Sequence, residues 1–234
     1  MRLAILSDIH GNLLALEATL ADLEARGGAD AMVIAGDLCL AGPQPVEALE
    51  RVRALDCPVI QGNTDRDLAA RPETTADSDD AALLDWTRER LGEDALAYLR
   101  ALPFAHRVEA PDGEAPATVL IVHANPVNLD DPLRPLAPDE EIAPLLEEVA
   151  PDVAVVAFGH LHIPYTRRVG GLLLADIASV GLPKDGDPRA SYGVLTWSGG
   201  GWTVEQRRVA YPVDEAAAQL RAADPPGAAS LART

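Results

Sequence analysis

The sequence predicts an α/β fold that opens as a parallel sheet with crossover helices and closes in antiparallel strands. Three observations carry this expectation. Apolar runs of strand length alternate with amphipathic helical patterns from residue 2 to residue 62, the pattern of strand–helix–strand units. From about residue 166 the helical pattern gives way to strand-like runs broken by Gly-rich turns such as SGGG. The chain has 234 residues, 48% of them hydrophobic, enough to bury a substantial core without disulfides or structural zinc.

Taken in order, RLAILS (2–7) reads as a buried strand. Residues 13–26 place Leu13, Leu16, Leu20 and Leu23 at helical spacing behind Asn12, a plausible N-cap. AMVIAG (31–36) is a second strand, 45–55 a second helix and PVIQG (58–62) a third strand. The polar, proline-bearing 66–78 is expected to be loop, and 79–101 one or two helices split at Gly92, an insertion of about 72–102 on the sheet's rim. Strands follow at 104–110 and 117–123 around the loop PDGEAP, then an acid-led helix at 138–150, as a helix dipole favours, and a strand at 153–159. TRRVGGLLLAD, YGVLTW and WTVEQRRV form the antiparallel remainder, and 213–223 a final helix. One domain spans 1–223, and 224–234 is expected to be a flexible tail.

Composition removes some classes of function. A net charge of −18 argues against nucleic acid as a standing partner, because a phosphate polymer would be repelled. No stretch reaches the length of a membrane span. The N-terminal apolar run is too short for a signal-peptide core, so a cytoplasmic protein is expected. Cys39 and Cys57 form no CxxC and are expected to be buried free thiols; Cys39 lacks the basic neighbour a nucleophile would need. The sequence sets no oligomeric state.

Five polar clusters stand where strands end: SDIHGN, AGDL, QGNTD, VHAN and FGHLH. Open α/β sheets bind ligands at the carboxyl ends of their strands. Singly, each cluster has a plain structural explanation. Asp8 or Asp37 suits an N-cap, Asn63 a turn, and His123 a hydrogen-bonded core position. Together those explanations fail, because four of the five histidines fall in these clusters and only His106 lies outside. D-x-H and H-x-H are expected to direct both side chains to one side of an extended segment. Glycines at 11, 36, 62 and 159 allow sharp turns and close approach. Carboxylate, imidazole and amide oxygen make a donor set that suits Mn, Fe, Zn, Co or Ni better than Ca or Mg.

The ordered series D-x-H, G-D, G-N-x-D, an apolar strand ending in His, and G-H-x-H resembles the calcineurin-like metallophosphoesterases over residues 3 to about 165. SDIHGNLLALEATL and WTRERLGEDALAYLRALP look like a branch of small bacterial single-domain members. The resemblance implies a four-layer α/β/β/α sandwich with mixed sheets and two divalent transition-metal ions, Mn foremost, at one end. Carried over, Asp8, His10 and His162 would hold the first ion and Asn63, His123 and His160 the second, with Asp37 bridging both. The implied reaction is attack on a phosphoester by a metal-bridging hydroxide, the two ions clamping the phosphoryl oxygens.

The family's third motif commonly reads G-N-H-[DE], its histidine neutralising the phosphate or protonating the leaving oxygen. Here it reads Gly62-Asn63-Thr64-Asp65. Thr64 can donate a hydrogen bond but cannot act as a general acid near neutral pH. That favours phosphodiesters, or phosphomonoesters with good leaving groups. Asp37, Asn63 and Asp65 are the expected catalytic residues, Asp65 by orienting its loop or capping a turn. Asn12, Thr64, Arg66 and Asn125 are expected to face the substrate, with a surface role the rival for Arg66 and the N-cap for Asn12. Rival readings are a protein or nucleotide phosphomonoesterase, a non-catalytic scaffold on the same fold, and a metal store or sensor. Every ligand position is filled, which speaks against the scaffold.

Overall fold

The computed structural model describes residues 1–71, 79–112 and 116–228. The elements run β1 (Arg2–Leu6), α1 (Leu13–Ala25), β2 (Ala31–Ile34), α2 (Pro45–Arg53), α3 (Asn63–Ala70), α4 (Asp79–Ala101), β3 (Ala105–Val108), β4 (Thr118–Val122), α5 (Asp139–Ile142), β5 (Val153–Phe158), β6 (Tyr165–Val169), β7 (Leu172–Asp176), β8 (Ala190–Trp197), β9 (Trp202–Val209) and α6 (Val213–Ala223). They build two mixed sheets, ordered β2-β1-β8-β9 and β3-β4-β5-β7-β6. In the first, β1 pairs in parallel with β2 and antiparallel with β8. In the second, β4, β5 and β7 run parallel, flanked by antiparallel β3 and β6.

The layering follows from the two-residue period of a strand. In β1, Leu3 and Ile5 face the second sheet, while Ala4 and Leu6 face α1 and α2. In β4 and β5, Val119, Ile121, Val155 and Ala157 fill the space between the sheets; Leu120, Val122, Val156 and Phe158 form an outer core with Leu133, Ile142 and Leu146. Strands apolar on both faces need cover on both sides, and the result is a four-layer α/β/β/α sandwich. Trp202 ties the sheets together, its indole N–H donating to the Ala117 carbonyl at 2.6 Å. Gly193 sits so close to Ile177 of the facing layer that a Cβ would collide with it.

Several elements differ from the sequence reading. Residues 58–62 do not form a strand: only the Ile34–Val59 bridge remains. Pro58 brings no N–H, and Gln61 is drawn away to the Pro103 and Leu99 carbonyls at the end of α4. Residues 63–70 are helical as α3, not loop, while 72–78 lie outside the described residues, as do 113–115 of the PDGEAP loop and 229–234 of the expected tail. The helix expected at 138–150 is α5 plus a 3-10 turn at Ala143–Leu145, because the Pro144 ring cannot continue the hydrogen-bond ladder. Gly92, at φ 72°, breaks α4 in two. Cys39 is buried but Cys57 is partly exposed. Among the described residues no helix is long and apolar enough to cross a membrane.

Candidate metal centre

The loops that leave β1, β2, β4 and β5 meet at the carboxyl ends of both sheets. They are sewn together by backbone bonds: Asp8 N–H to Gly36 O (3.0 Å), His10 N–H to Asp37 O (2.9 Å) and Gly159 N–H to His123 O (2.9 Å). The convergence of Asp8 with His10, and of His160 with His162, does not arise from strand alternation. These four residues and Asp37 all have φ between 49° and 70°. The segments are therefore tight left-handed turns. Such a conformation costs a non-glycine residue about 1–2 kcal/mol and is retained where function demands it. Gly62 and Gly159 complete the packing: a Cβ at Gly62 would strike the Asp37 carboxylate, and one at Gly159 the Asp8 carboxylate.

Asp8, His10, Asp37 and His162 are buried, and one ligand atom from each lies within 4.8 Å of all the others. His162 Nε2 is 3.0 Å from Asp8 Oδ1, and His10 Nε2 is 3.6 Å from Asp37 Oδ2 and 3.3 Å from His162 Nε2. A second group adjoins it through Asp37. His123 Nε2 lies 3.5 Å from Asp37 Oδ1 and 2.9 Å from Asn63 Oδ1. His160 Nδ1 lies 3.1 Å from the same Asn63 oxygen. The sequence-predicted ligands are thus all brought together, in two lobes that share one carboxylate.

Each imidazole has a backbone carbonyl behind it. His10 Nδ1 bonds Leu40 O (2.8 Å), His162 Nδ1 bonds Leu182 O (2.5 Å), His123 Nδ1 bonds Ala35 O (2.8 Å) and His160 Nε2 bonds Asp130 O (2.9 Å). A carbonyl only accepts, so each of these nitrogens carries the proton and the opposite nitrogen presents a lone pair to the centre. Those lone pairs face carboxylate and amide oxygens, which also accept. Asp8 Oδ1 is buried without a hydrogen-bond partner. A buried set of converging acceptors is satisfied by cations, so the residues fit a metal centre.

Local electrostatics agree. Burial alone would push the Asp8 carboxyl up, but the surrounding His162, His123 and His10 imidazoles hold it well below the usual carboxylate range. Burial lowers His10 to about 4 despite Asp37 and Asp8. Burial and the neighbouring His123 lower His160, whereas Asp37 and Asp8 outweigh burial and raise His123.

The remaining predicted site residues play supporting parts. Asp65 is fully buried and accepts the backbone N–H groups of Asp37 (2.8 Å), Leu38 (3.0 Å) and Gly62 (2.9 Å). It therefore positions Asp37 rather than facing a ligand, and burial together with Asp37 raises it to about 6. The Thr64 N–H donates to Asp37 Oδ1 (3.0 Å), while its hydroxyl is a buried atom with no partner.

The expectation that Asn125 reaches substrate is corrected. Its amide bonds Asn128 Oδ1 and Asp131 O, and its oxygen accepts from Val127 and Asn128 N–H, so every bonding position is used within its own loop. Asn12 caps α1 through Ala15 N–H and donates to Gly181 O and the Tyr211 hydroxyl, which leaves the N-cap role. Arg66 forks onto Asp130 (2.7 and 2.9 Å) and also bonds Asp67, so its charge is already matched. His106 lies on β3, away from the centre, as expected.

Two contributors escaped the sequence reading. One is Asp130, which holds Arg66 with its side chain and His160 with its carbonyl. The other is Ser179, whose hydroxyl donates to Asp8 O at 2.8 Å. The stretch ASVG after LLLAD repeats the strand-then-glycine signal of the other clusters and could have revealed Ser179.

Comparison with known proteins agrees with this geometry. The sequence profile of the calcineurin-like phosphoesterase superfamily domain matches residues 1–200. Protein MJ0912 of Methanocaldococcus jannaschii is 29% identical over 230 residues, covering 92% of this chain and 89% of its own. Phosphodiesterase YfcE of Escherichia coli is 27% identical over 205 residues, covering 83% and 87%. The crystal structure of a metallophosphoesterase from Sphaerobacter thermophilus superposes with a TM-score of 0.78 at 27% identity, covering 100% of this chain and 97% of the other.

Proposed function

The chain belongs to the calcineurin-like phosphoesterase superfamily, and from that premise we propose that it is a phosphodiesterase dependent on two divalent transition-metal ions, Mn foremost. The observation that carries the reading is the pair of acceptor-only lobes joined by Asp37. Asp8, His10 and His162 would hold one ion, Asn63, His123 and His160 the other, and Asp37 would serve both. When bound, such ions supply Lewis acidity toward phosphoryl oxygens and an activated water.

The chain's own residues prepare that site. The carbonyls of Leu40, Leu182, Ala35 and Asp130 fix the histidine tautomers. Asp65 and the Thr64 N–H fix the Asp37 carboxylate in the orientation that serves both lobes. The Thr64 hydroxyl, buried and without a partner among the described residues, can deliver no proton near neutral pH, so no general acid stands at this position. Substrates that expel a stable anion suit this arrangement, and so do diesters over alkyl monoesters.

The test combines metal analysis with a substrate panel. Purified protein supplied with Mn²⁺ is expected to hold two ions and to hydrolyse nitrophenyl diesters ahead of alkyl monoesters. A general acid typically contributes about 10²–10⁴-fold. Thr64→His is accordingly expected to gain selectively on poor leaving groups. A metal-loaded protein inactive on every phosphoester would refute the enzymatic reading.

A further inference from the structure

Beside the metal centre lies a cavity that the proposed reaction leaves unused. It holds about 80 Å³ between the loops after β2 and β7 and the C-terminal helix α6, and His10, Asn12, Pro43, Leu182, Tyr211 and Leu220 line it. It adjoins the centre: His10 lines it, and so does Leu182, whose carbonyl orients His162. Resting on the phosphodiesterase reading, we infer that this cavity is a subsite for one short, uncharged ester arm of the diester, the arm retained on phosphorus.

Charge, size and polarity each select that occupant. Among the described residues, no Lys, Arg, Asp or Glu lines the cavity. A second phosphate or an ammonium group would enter it unpaired, at a heavy desolvation cost. An apolar cavity of about 150 Å³ accommodates benzene. On that scale the enclosed part takes roughly three to four heavy atoms, too few to enclose a nucleoside or a nitrophenyl ring whole. A nitrophenolate leaving group therefore stays outside, and the smaller arm enters. The walls are largely Pro, Ala and Leu; of the polar side chains, His10 is bonded to Leu40 O and Asn12 to Ala15 N–H, Gly181 O and Tyr211, which leaves the Tyr211 hydroxyl as the handle. The Tyr211 hydroxyl accepts from Asn12 Nδ2 at 3.3 Å, and among the described residues nothing accepts its own proton. That proton is available to an oxygen on the arm.

The experiment holds the leaving group constant and varies the retained arm. Rates of the Mn²⁺-loaded protein are measured on p-nitrophenyl phosphodiesters whose second arm is methyl, propyl, 2-methoxyethyl or 5′-thymidine. Two buried methylenes are worth on the order of tenfold. The expected order in kcat/KM is propyl roughly tenfold above methyl, with thymidine below propyl. Ala217→Leu, which fills the cavity from half-exposed α6, is expected to bring the propyl-to-methyl ratio near one. Tyr211→Phe should remove the preference for 2-methoxyethyl over propyl, and this second ratio decides the matter should Ala217→Leu fail to fold. Turnover that is indifferent to the arm, or ratios unmoved by either substitution, overturns the subsite while leaving the phosphodiesterase reading intact. Failure to hydrolyse any of the diesters with metal bound overturns both.

Discussion

The two lobes of the centre share Asp37 and have two imidazoles each, but they differ in the remaining donor, the Asp8 carboxylate against the neutral Asn63 amide, and in how they are supported. Asp8, His10 and His162 are sealed in, 0%, 6% and 2% exposed. Their supporting carbonyls, Leu40 and Leu182, lie on loops bonded to the neighbouring strands and turns. In the other lobe His123 is equally buried, yet Asn63 and His160 are only partly so. His160 takes its orientation from the carbonyl of Asp130, an exposed residue held by an ion pair to Arg66. A charged carboxylate on a rigid support thus stands against a neutral amide on a soft one. Since ordering a ligand costs conformational entropy, the sealed lobe should bind its ion more tightly.

Asp37 is the point where the two lobes cannot be told apart, so its loss should have the largest effect. Asp37→Asn keeps the size of the side chain and tolerates the left-handed backbone, but its amide nitrogen cannot replace a carboxylate oxygen as a ligand. Diesterase activity is expected to fall at least about 100-fold, a barrier rise of roughly 2.7 kcal/mol. Metal content should drop below two ions per chain, with thermal unfolding little changed. Retention of a tenth of the activity would show that Asp37 is not shared.

Stepwise chelation separates the lobes directly. The open lobe is expected to release its ion first, with a Kd at least about tenfold weaker, a difference of roughly 1.4 kcal/mol. Metal content measured against chelator concentration should show two steps. Simultaneous loss would mean that Asp37 couples the ions more strongly than the supports distinguish them.

A smaller effect should come from Arg66. Exposed ion pairs contribute about 0.2–1 kcal/mol, so Arg66→Ala should weaken the second ion about two- to five-fold by loosening the Asp130 carbonyl behind His160. Calorimetric titration with Mn²⁺ should find the first ion unaffected and the difference reduced at high salt. An equal loss at both ions would place Arg66 in general stability instead.

The residues that converge in both lobes were legible in the sequence because they sit where apolar strands meet glycines, a local signal. The two apolar faces of β1, β4 and β5 were equally legible as unbroken hydrophobic runs. The geometry joining Asp8 to His10 was not, since left-handed turns at non-glycine residues are enforced only by the packed neighbours. The same holds for Asn125 and Arg66. Asn-Pro and an exposed arginine suggest a substrate contact until the partners at Asn128, Asp131 and Asp130 are in place. Pro144 was a readable stop signal within the acidic helix. The departure of 58–62 from the sheet depended on the distant end of α4.

The least expected effect concerns a buried carboxyl behind the sealed lobe. Asp176 ends β7 at 0% exposure; Oδ1 accepts the Ala178 N–H at 2.7 Å, and Oδ2 has no partner. Asp8 is surrounded by imidazoles, but Asp176 has no such company, so burial raises it well above the usual carboxylate value, with Asp8 adding to the effect. Its folded form therefore keeps its proton to a higher pH than the unfolded chain, whose carboxyl titrates near 3.9. Above that value the folded state binds more protons than the unfolded one, and stability declines as pH rises toward the folded pKa. Asp176→Asn removes this decline. The amide has its own cost, because a buried N–H₂ replaces Oδ2, but that cost does not vary with pH. The informative quantity is the melting temperature of the variant minus that of the wild type, both in the same chelator, from pH 4 to pH 8. This difference is expected to grow by a few degrees as pH rises, at roughly 2–4 °C per kcal/mol for a chain of this size. A difference independent of pH would mean that Asp176 titrates like a solvent-exposed carboxylate, and that the sealed lobe rests on a more polar floor than its packing indicates.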